Sequence, residues 1–326
     1  MTEKIYGNSF ALQTFSSMFR SGRIPHSFLI YGEKGLGKKT LAKYLAMSLL
    51  CENRNDGTPC GECHSCRIAQ KNVHPDIIFP EQSGKLNTYT VETCRHVCTD
   101  AFVVPNNSDI KIYIFADADN IQLPAQNALL KIIEEPPAHV RFIFTAKSKD
   151  AFLPTIISRV TSVGASACTE KECITALSEK NYSDTDIKNA VNSFGSNIGM
   201  CIEYMENPQL QSVSALTKRA VNSIINKDEY SLLTVFSDPE FKDRSITAEF
   251  LKMLDNAIRD CVAIRYNPNI SCSSCCKPEV SVLSEKLSVK SAMKIHTYLD
   301  KAASEIRANV SSALVMSALC GEIIDS

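Results

Sequence analysis

The stretch "SFLIYGEKGLGKKT", residues 27–40, decides the fold of this chain. It begins with a short apolar run that is typical of a buried β-strand, and a glycine-rich loop follows. The next residues, "KTLAKYLAMSLL" (39–50), have helical spacing. A strand, a glycine-rich loop and a helix in this order favour phosphate binding, because backbone N–H groups at the helix N-terminus can hold phosphate oxygens.

The loop departs from the usual pattern G-x-x-x-x-G-K-[ST] at one position. Gly32, Gly37 and Lys38 are in register, but Lys39 occupies the position of the hydroxyl that normally holds magnesium. A protonated Lys39 cannot ligate a metal, and Thr40 is displaced by one residue, or about 100° around a helix. The loop therefore leaves two readings open, a nucleotide site with weakened hydrolysis and a turn without a ligand.

A second stretch, "IYIFADADN" (112–120), resembles the strand that carries magnesium-binding acids in nucleotide enzymes. If the strand ends at Phe115, Ala116 stands in the metal-ligand position and Asp117 in that of the second acid. Asp117 and Asp119 are also suited to capping the following turn. Two metal-holding positions are thus changed together, which indicates weak hydrolysis more strongly than either change alone.

The rest of the chain divides into an α/β part and a helical part. Apolar strands are predicted at "DIIFP" (76–80), "IKIYIFA" (110–116) and "RFIFTA" (141–146), and a helix at "LPAQNALLKIIEEPP" (123–137). Alternating strands and helices predict a parallel sheet covered on both faces. The strand signal fades after about residue 165. Three short helices are then predicted in the stretches 169–180, 183–195 and 197–205, and longer helices from about 209 to the end, interrupted by a loop at 265–280.

Composition restricts the classes of function. The formal net charge of −1 argues against a free-standing nucleic-acid binder. The 44% hydrophobic content allows a sizeable core, and there is no apolar run long enough for a membrane span. The N-terminus, "MTEKIYGNSF", lacks the apolar core of a signal peptide, so we expect a cytoplasmic protein.

Four of the fourteen cysteines are clustered at the spacing C-x8-C-x2-C-x2-C, as Cys51, Cys60, Cys63 and Cys66. Four thiolates satisfy a tetrahedral zinc ion. A bacterial iron–sulfur run requires a further cysteine where Gln70 stands. The cluster therefore predicts structural zinc, without an open position for catalysis.

Two further groups of cysteines indicate ordinary packing rather than metal binding. Cys94, His96 and Cys98 lack a fourth ligand, and the late loop carries three cysteines with Cys261 as their nearby partner upstream. Those three are Cys272, Cys275 and Cys276. Lys85 and the acids of "IIEEPP" (132–137) favour a solvated face or a subunit contact.

Taken together, these motifs resemble the bacterial clamp-loader family of AAA+ proteins. The resemblance rests on motifs in the family's order, and it is good over roughly residues 5–206 and weak beyond. The motifs are "GRIPHSFLIYGEKGLGKKTLA" (22–42), the cysteine insertion, "HPD" (74–76), "QNALLKIIEEPP" (126–137) and "ISRV" (157–160).

The resemblance implies a RecA-like AAA+ parallel sheet with a helical lid and an all-helical C-terminal collar domain. The implied domains are 1–165, with the zinc module near 51–66, then the lid 166–207 and the oligomerising collar 208–326. It implies hetero-oligomeric partners in DNA replication, namely the motor and delta subunits of DNA polymerase III, a nucleotidyltransferase, and through them the sliding clamp and primer-template DNA. ATP or ADP is a possible ligand. The candidate nucleotide-binding residues are Gly32, Gly35, Gly37, Lys38, Lys39, Thr40 and Asp117.

The departures from the family pattern favour its non-hydrolysing stator over its ATP-hydrolysing motor. Besides Lys39 and Ala116, the lid stretch has Ile198 and Gly199 near the position of the motor's nucleotide-sensing arginine. The family's Ser-Arg-Cys motif, which supplies an arginine finger to the neighbouring subunit, reads here as Ser-Arg-Val with Arg159 at its centre. The resemblance implies that Arg159 acts in trans, and the alternative is a surface arginine paired with a carboxylate.

Overall fold

The structure is a computed structural model that describes residues 4–83, 87–267 and 274–326. Lys85 and Cys272 lie outside the described residues. The chain divides into two compact units, Met1–Cys168 and Thr169–Ser326. The further division of the second unit into a lid and a collar stays a prediction.

The first unit contains a five-stranded sheet in which every strand pair is parallel. In chain order the strands are β1 Ser27–Tyr31, β2 Ile77–Ile78, β3 Lys111–Phe115, β4 Val140–Ala146 and β5 Thr161–Gly164. Their spatial order is β2-β3-β4-β1-β5. This arrangement confirms the predicted α/β class. The strand predicted at 76–80 is shorter than expected, and β5 was not predicted.

Within the described residues of this unit, the α-helices that accompany the sheet are α1 Ser9–Ser21, α2 Lys38–Leu50, α3 His64–Gln70, α4 Val91–Asp100, α5 Leu123–Glu134 and α6 Pro154–Ile157. Helix α2 begins directly after the glycine loop, as predicted. Helix α5 has Pro124 in its first turn, where the missing N–H costs nothing.

Successive side chains of the central strands enter two different cores, because the side-chain period of a strand is two. Ile112 and Ile114 pack on the face that α1 and α2 cover. Tyr113 and Phe115 pack on the opposite face, which α4 and α5 cover. On that face Phe115 stacks on Phe144 of β4 with ring centroids 4.9 Å apart. Burial on both faces explains the continuous apolar runs of β3 and β4.

The second unit is helical throughout its described residues. The three predicted short helices are confirmed as α7 Glu170–Ser178, α8 Asp184–Phe194 and α9 Ile198–Glu206. Ser183 caps α8 by accepting a hydrogen bond from the Asp186 backbone N–H. The α-helices that follow in the described residues 207–267 and 274–326 are α10 Pro208–Asn226, α11 Glu229–Phe236, α12 Arg244–Tyr266, α13 Lys277–Lys286, α14 Val289–Arg307 and α15 Ser312–Ile324. Helices α12 and α13 extend into the ends of the loop predicted at 265–280.

Among the described residues, each helix is either too short or too polar to span a membrane.

Candidate functional site

The glycine loop lies where β1 ends and α2 begins. Gly32 continues the sheet, because its backbone N–H donates to the Ala146 carbonyl of β4 at 3.1 Å. Gly37 caps α2 with a φ of 76°, a left-handed conformation that favours glycine. Gly35 also has a positive φ, at 86°. The loop thus keeps the backbone shape that exposes N–H groups at a helix N-terminus.

Lys38 is folded back onto this loop. Its Nζ donates to the Glu33 carbonyl at 2.9 Å, and only 7% of the residue is exposed. Burial lowers the pKa of Lys38, and the nearby negative charges of Asp117, Asp119 and Glu33 oppose that shift. An ammonium group held on a carbonyl in this way can exchange that carbonyl for a phosphate oxygen.

Lys39 does not share this environment. It is exposed, and its Nζ lies 6.0 Å from the centroid of the Phe79 ring, the same distance as the Nζ of Lys43. Thr40, one residue further around α2, is half-buried. The register position of the magnesium-binding hydroxyl is therefore filled by an exposed cation.

The end of β3 is arranged as the sequence predicted, with Ala116 immediately after the last strand residue. Asp117 is exposed and has a positive φ of 49°, and its backbone N–H donates to Thr145 Oγ1 at 2.9 Å. Asp119 accepts a hydrogen bond from the Lys147 backbone N–H at 2.5 Å. Asp119 thus contacts the segment after β4 rather than the turn that follows it, and Asp117 makes no side-chain cap and presents its carboxylate to solvent, so the predicted capping is not observed.

Sequence reasoning missed Thr145 and Lys147 at this edge. Thr145 is fully buried and is paired in register with Ile30 of β1, so it lies between the glycine loop and the end of β3. The available signal was a hydroxyl residue directly after the apolar run 142–144 in "RFIFTA". Lys147 adds a positive charge that lowers the pKa of Lys38, a smaller effect than burial.

Arg159 occupies the turn between α6 and β5. Its NH2 group forms an ion pair with Glu134 Oε1 at 2.9 Å. Its NH1 group donates to the Thr155 carbonyl at 2.8 Å and to Ser158 Oγ at 3.2 Å. The side chain keeps 39% of its surface exposed. The carboxylate partner expected for an ordinary surface arginine is therefore present, and the guanidinium is still accessible.

Arg159 and the glycine loop lie at opposite ends of the parallel strands. Arg159 lies where the strands begin, the amino edge of the sheet, and the glycine loop lies where they end, the carboxyl edge. Arg159 comes just before β5, whose Thr161 pairs with Phe28 near the beginning of β1. The glycine loop follows Tyr31 at the other end of β1. Five strand residues span about 16 Å, so Arg159 is remote from the phosphate loop of its own chain.

The four clustered cysteines converge. Their Sγ atoms all lie within 4.8 Å of one another. Cys51 follows the last residue of α2, Cys63 caps α3, and Cys66 lies in the first turn of α3. A zinc ion with four Zn–S bonds of about 2.3 Å requires sulfur atoms in this proximity. The cluster can therefore hold zinc.

Backbone N–H groups already point at these sulfur atoms. Cys51, Cys60 and Cys63 each accept one through Sγ, at 3.2, 3.3 and 3.4 Å. Backbone hydrogen bonds from Glu62 and Cys63 lower the pKa of the Cys60 thiol to about 6, whereas burial raises the pKa values of Cys51 and Cys66. Donors directed at sulfur stabilise the thiolate form that metals bind.

The other cysteines do not form a comparable set. Cys94 is fully buried, and Cys98 contacts the Ala128 carbonyl. Cys275 and Cys276 are buried in the second unit. Within the described ranges, the four-cysteine cluster is the one group of three or more potential metal ligands.

Comparison with known proteins relates the first unit to DNA polymerase III subunits. Residues 7–168 match the family model described as DNA polymerase III, delta subunit. The gamma subunit of Buchnera aphidicola (Acyrthosiphon pisum) is 36% identical over 155 residues, covering 48% of this chain and 42% of that protein. The Escherichia coli tau subunit is 31% identical over 155 residues, covering 48% of this chain and 24% of that protein.

Among solved structures, a gamma subunit-related protein from Thermotoga maritima covers 96% of this chain and 98% of its own, at 14% identity and a TM-score of 0.48. The chain spans less than half the length of the curated relatives it matches. The N-terminal half of the chain is thus similar to subunits of DNA polymerase III. The family model is described as a delta subunit, whereas these two relatives are a gamma and a tau subunit.

Proposed function

We propose that this chain is the delta-prime, or stator, subunit of a DNA polymerase III clamp loader, with little or no ATP hydrolysis of its own. One observation carries the proposal: the carboxyl edge of the sheet has Lys39 and Ala116 where magnesium-holding side chains are needed, while the amino edge presents Arg159. A subunit built in this way contributes to catalysis only in a neighbour's site.

The partners of such a subunit are the gamma/tau motor subunits and the delta subunit. Through the complex they include the sliding clamp and primer-template DNA, in the cytoplasm of a bacterium. ATP bound to the motors favours a spiral that grips the open clamp and the DNA, and hydrolysis releases the closed clamp on DNA. The chain is then a rigid part of a polymerase holoenzyme rather than an enzyme by itself.

The chemistry of phosphoryl transfer explains what Arg159 supplies. Negative charge is spread over the oxygens of the transferring phosphoryl group, and a planar guanidinium stabilises it without a covalent step. Arginine fingers of this kind increase turnover by roughly 10³–10⁵ in GTPases. Because Arg159 lies at the opposite edge from its own glycine loop, the phosphate that it stabilises belongs to another subunit.

The glycine loop keeps part of a nucleotide site. Gly32, Gly35 and Gly37 shape it, and Lys38 is close enough to exchange its contact with the Glu33 carbonyl for a phosphate oxygen. ATP or ADP bound there would be held by the backbone N–H groups and Lys38 without the usual magnesium ligands, with Thr40 and Asp117 beside it. The loop then has a structural role.

We also propose that Cys51, Cys60, Cys63 and Cys66 hold one structural zinc ion. Their convergence and the N–H groups directed at three of the sulfur atoms support this proposal. Metal analysis of the purified chain should give one zinc per chain, and Cys60→Ser should abolish it. Cys98→Ser, outside the cluster, should retain it. A metal-free but fully folded wild-type chain would contradict the zinc proposal.

The second candidate is an active ATPase of the gamma/tau type. The names of the sequence relatives favour it, since both relatives described above are gamma or tau subunits. In that case Lys39 contacts the phosphates directly and Asp117 takes over the metal. This candidate requires magnesium-dependent turnover by the isolated chain.

The test is ATP turnover in a reconstituted clamp loader. Three samples are compared: the chain alone, motor subunits with the wild-type chain, and motor subunits with Arg159→Ala. We expect no turnover by the chain alone, and a fall of at least about 10³-fold, the lower end of the range for arginine fingers, at the site next to Arg159→Ala. Assembly is checked by size-exclusion chromatography. Robust turnover by the chain alone would establish the motor instead.

A further inference from the structure

We propose that Glu134 is a positioning residue for Arg159, which it holds in the orientation that meets a phosphate in the neighbouring subunit. The inference rests on the proposed function and extends it to a residue with no role so far. The contact that supports it is the 2.9 Å ion pair between Arg159 NH2 and Glu134 Oε1.

Glu134 is attached to a rigid part of the fold. It is the last residue of α5, and the preceding Ile132 and Ile133 are each only 4% exposed in the core below the sheet. Leu129, one turn earlier, is completely buried. The backbone that carries the carboxylate is thus fixed by packing, which is what a supporting residue requires.

The electrostatics of α5 favour a cation at this position, in addition to Lys131 in the last turn of the helix. Carboxylates at the C-terminal end of a helix meet the negative end of its dipole. Both Glu134 and Glu135 stand there. Only Glu134 pairs with Arg159, and no hydrogen bond or ion pair of the Glu135 side chain occurs within residues 4–83, 87–267 and 274–326. The two neighbouring glutamates therefore form a matched pair for experiment.

The contacts of Arg159 leave it able to bind an anion without leaving Glu134. A guanidinium has five N–H donors. Two on NH1 are used by the Thr155 carbonyl and Ser158 Oγ, and NH2 lies 2.9 Å from Glu134 Oε1 in the ion pair. The remaining two donors, on Nε and NH2, make no hydrogen bond to any residue that the structure describes. Glu134 and a phosphate can therefore share one guanidinium.

The sizes of the two expected effects decide whether Glu134 positions Arg159 or competes with a phosphate for it. If Glu134 merely sequestered Arg159, the cost to a partner would be small, since a half-exposed ion pair changes an equilibrium by less than about fivefold. A misplacement of a catalytic group by about 1 Å can lower a rate on the order of 10²-fold. Loss of orientation is the larger effect, so removal of Glu134 should lower turnover rather than raise it.

The experiment uses the reconstituted complex with Glu134→Ala, Glu134→Gln and the control Glu135→Ala. We expect Glu134→Ala to lower kcat about tenfold, with KM for ATP and assembly unchanged, because the guanidinium is present but less well oriented. Glu134→Gln keeps an oxygen acceptor, so its kcat should fall less than that of Glu134→Ala. Glu135→Ala should match the wild type. A structural role alone would change thermal stability without changing kcat.

The double variant Glu134→Ala/Arg159→Ala completes the test. If Glu134 acts through Arg159, its removal has no further effect when Arg159 is already absent. An equal loss in both backgrounds, an unchanged kcat, or a rise in kcat in Glu134→Ala would each overturn the inference. These outcomes are separate from failure of the proposed function, which is marked by full turnover in Arg159→Ala alone.

Discussion

Two aspartates at opposite edges of the N-terminal sheet have contrasting environments. Asp76, just before β2 at the amino edge, is completely buried. Its carboxylate accepts backbone N–H groups of Asn106, Asn107 and Ser108 at 2.6, 2.8 and 2.9 Å, and the Ser108 hydroxyl at 2.7 Å. Asp117, just after β3 at the carboxyl edge, is exposed. Its carboxylate accepts no hydrogen bond from the described residues.

The difference separates acids that hold the fold from acids that remain available to a ligand. Asp76 closes the loop that leads into β3, and every contact of its carboxylate is internal. At the carboxyl edge the polar groups near Asp117 surround the glycine loop and Lys38. Sequence letters alone do not distinguish the two, because both acids flank short apolar strands. The contrast gives quantitative expectations for each edge.

The largest expected effect is the removal of the buried carboxylate. Asp76→Ala removes the buried carboxylate that accepts three backbone N–H groups and the Ser108 hydroxyl, and each lost hydrogen bond to a charged group costs about 1.5–3 kcal/mol. We expect a loss of at least about 3 kcal/mol in the free energy of unfolding of the first unit. Chemical denaturation of the full chain, with hydrogen exchange followed at Asn106–Ser108, measures it.

The matched variant is Asp117→Ala, which should change stability by less than about 0.5 kcal/mol, as exposed substitutions do. Equal losses of stability in Asp76→Ala and Asp117→Ala would show that the two carboxylates contribute equally to the fold. A stable Asp76→Ala chain with unchanged exchange at 106–108 would show that the loop is held by other contacts.

A second, smaller effect is the response of the amino edge to pH. Burial raises the pKa of Asp76, but hydrogen bonds from Asn106, Ser108 and Asn107 outweigh it, so the pKa lies below its usual value. A lowered folded-state pKa means that the stabilisation is fully present above the unfolded value of about 3.9 and is lost as the pH falls through the folded value.

The check is a comparison of wild type with Asp76→Asn, which cannot ionise. The difference between their free energies of unfolding should be constant above about pH 5 and should shrink below about pH 4, where the wild-type carboxylate takes up a proton. A difference that grows on acidification would contradict the sign of the shift.

The parts of the fold that the sequence predicted are those with a strong local signal. Strands β1, β3 and β4 are buried on both faces, so their apolar runs are continuous. Strand β5, Thr161–Gly164, is an outermost strand of the sheet, and Val163 is its single fully buried apolar residue. Its sequence therefore carried little signal. Helix α8 was predictable because Ser183 caps it within its own segment.

The same division applies to the candidate site. The glycine loop and the four cysteines are encoded in consecutive residues, so spacing alone identified them. Thr145 and Glu134 take their places only through the parallel pairing of β1 with β4 and the packing of α5 against the sheet. The Glu134–Arg159 contact joins two motifs that are separate in sequence, and no local pattern connects them.

The smallest expected effect, a gain of about tenfold in nucleotide affinity, tests whether the carboxyl edge lacks only its magnesium ligands. Lys39→Thr with Ala116→Asp restores the hydroxyl and the strand-end carboxylate, which are oxygen ligands of the kind magnesium prefers. ATP affinity of the full chain should then rise by that factor, about 1.4 kcal/mol, in magnesium but not in EDTA. Either single variant should gain less. An unchanged affinity would mean that the conformation of the loop, with Lys38 held on the Glu33 carbonyl, itself prevents nucleotide binding. The loss of binding at the carboxyl edge would then have a cause beyond the two substituted side chains.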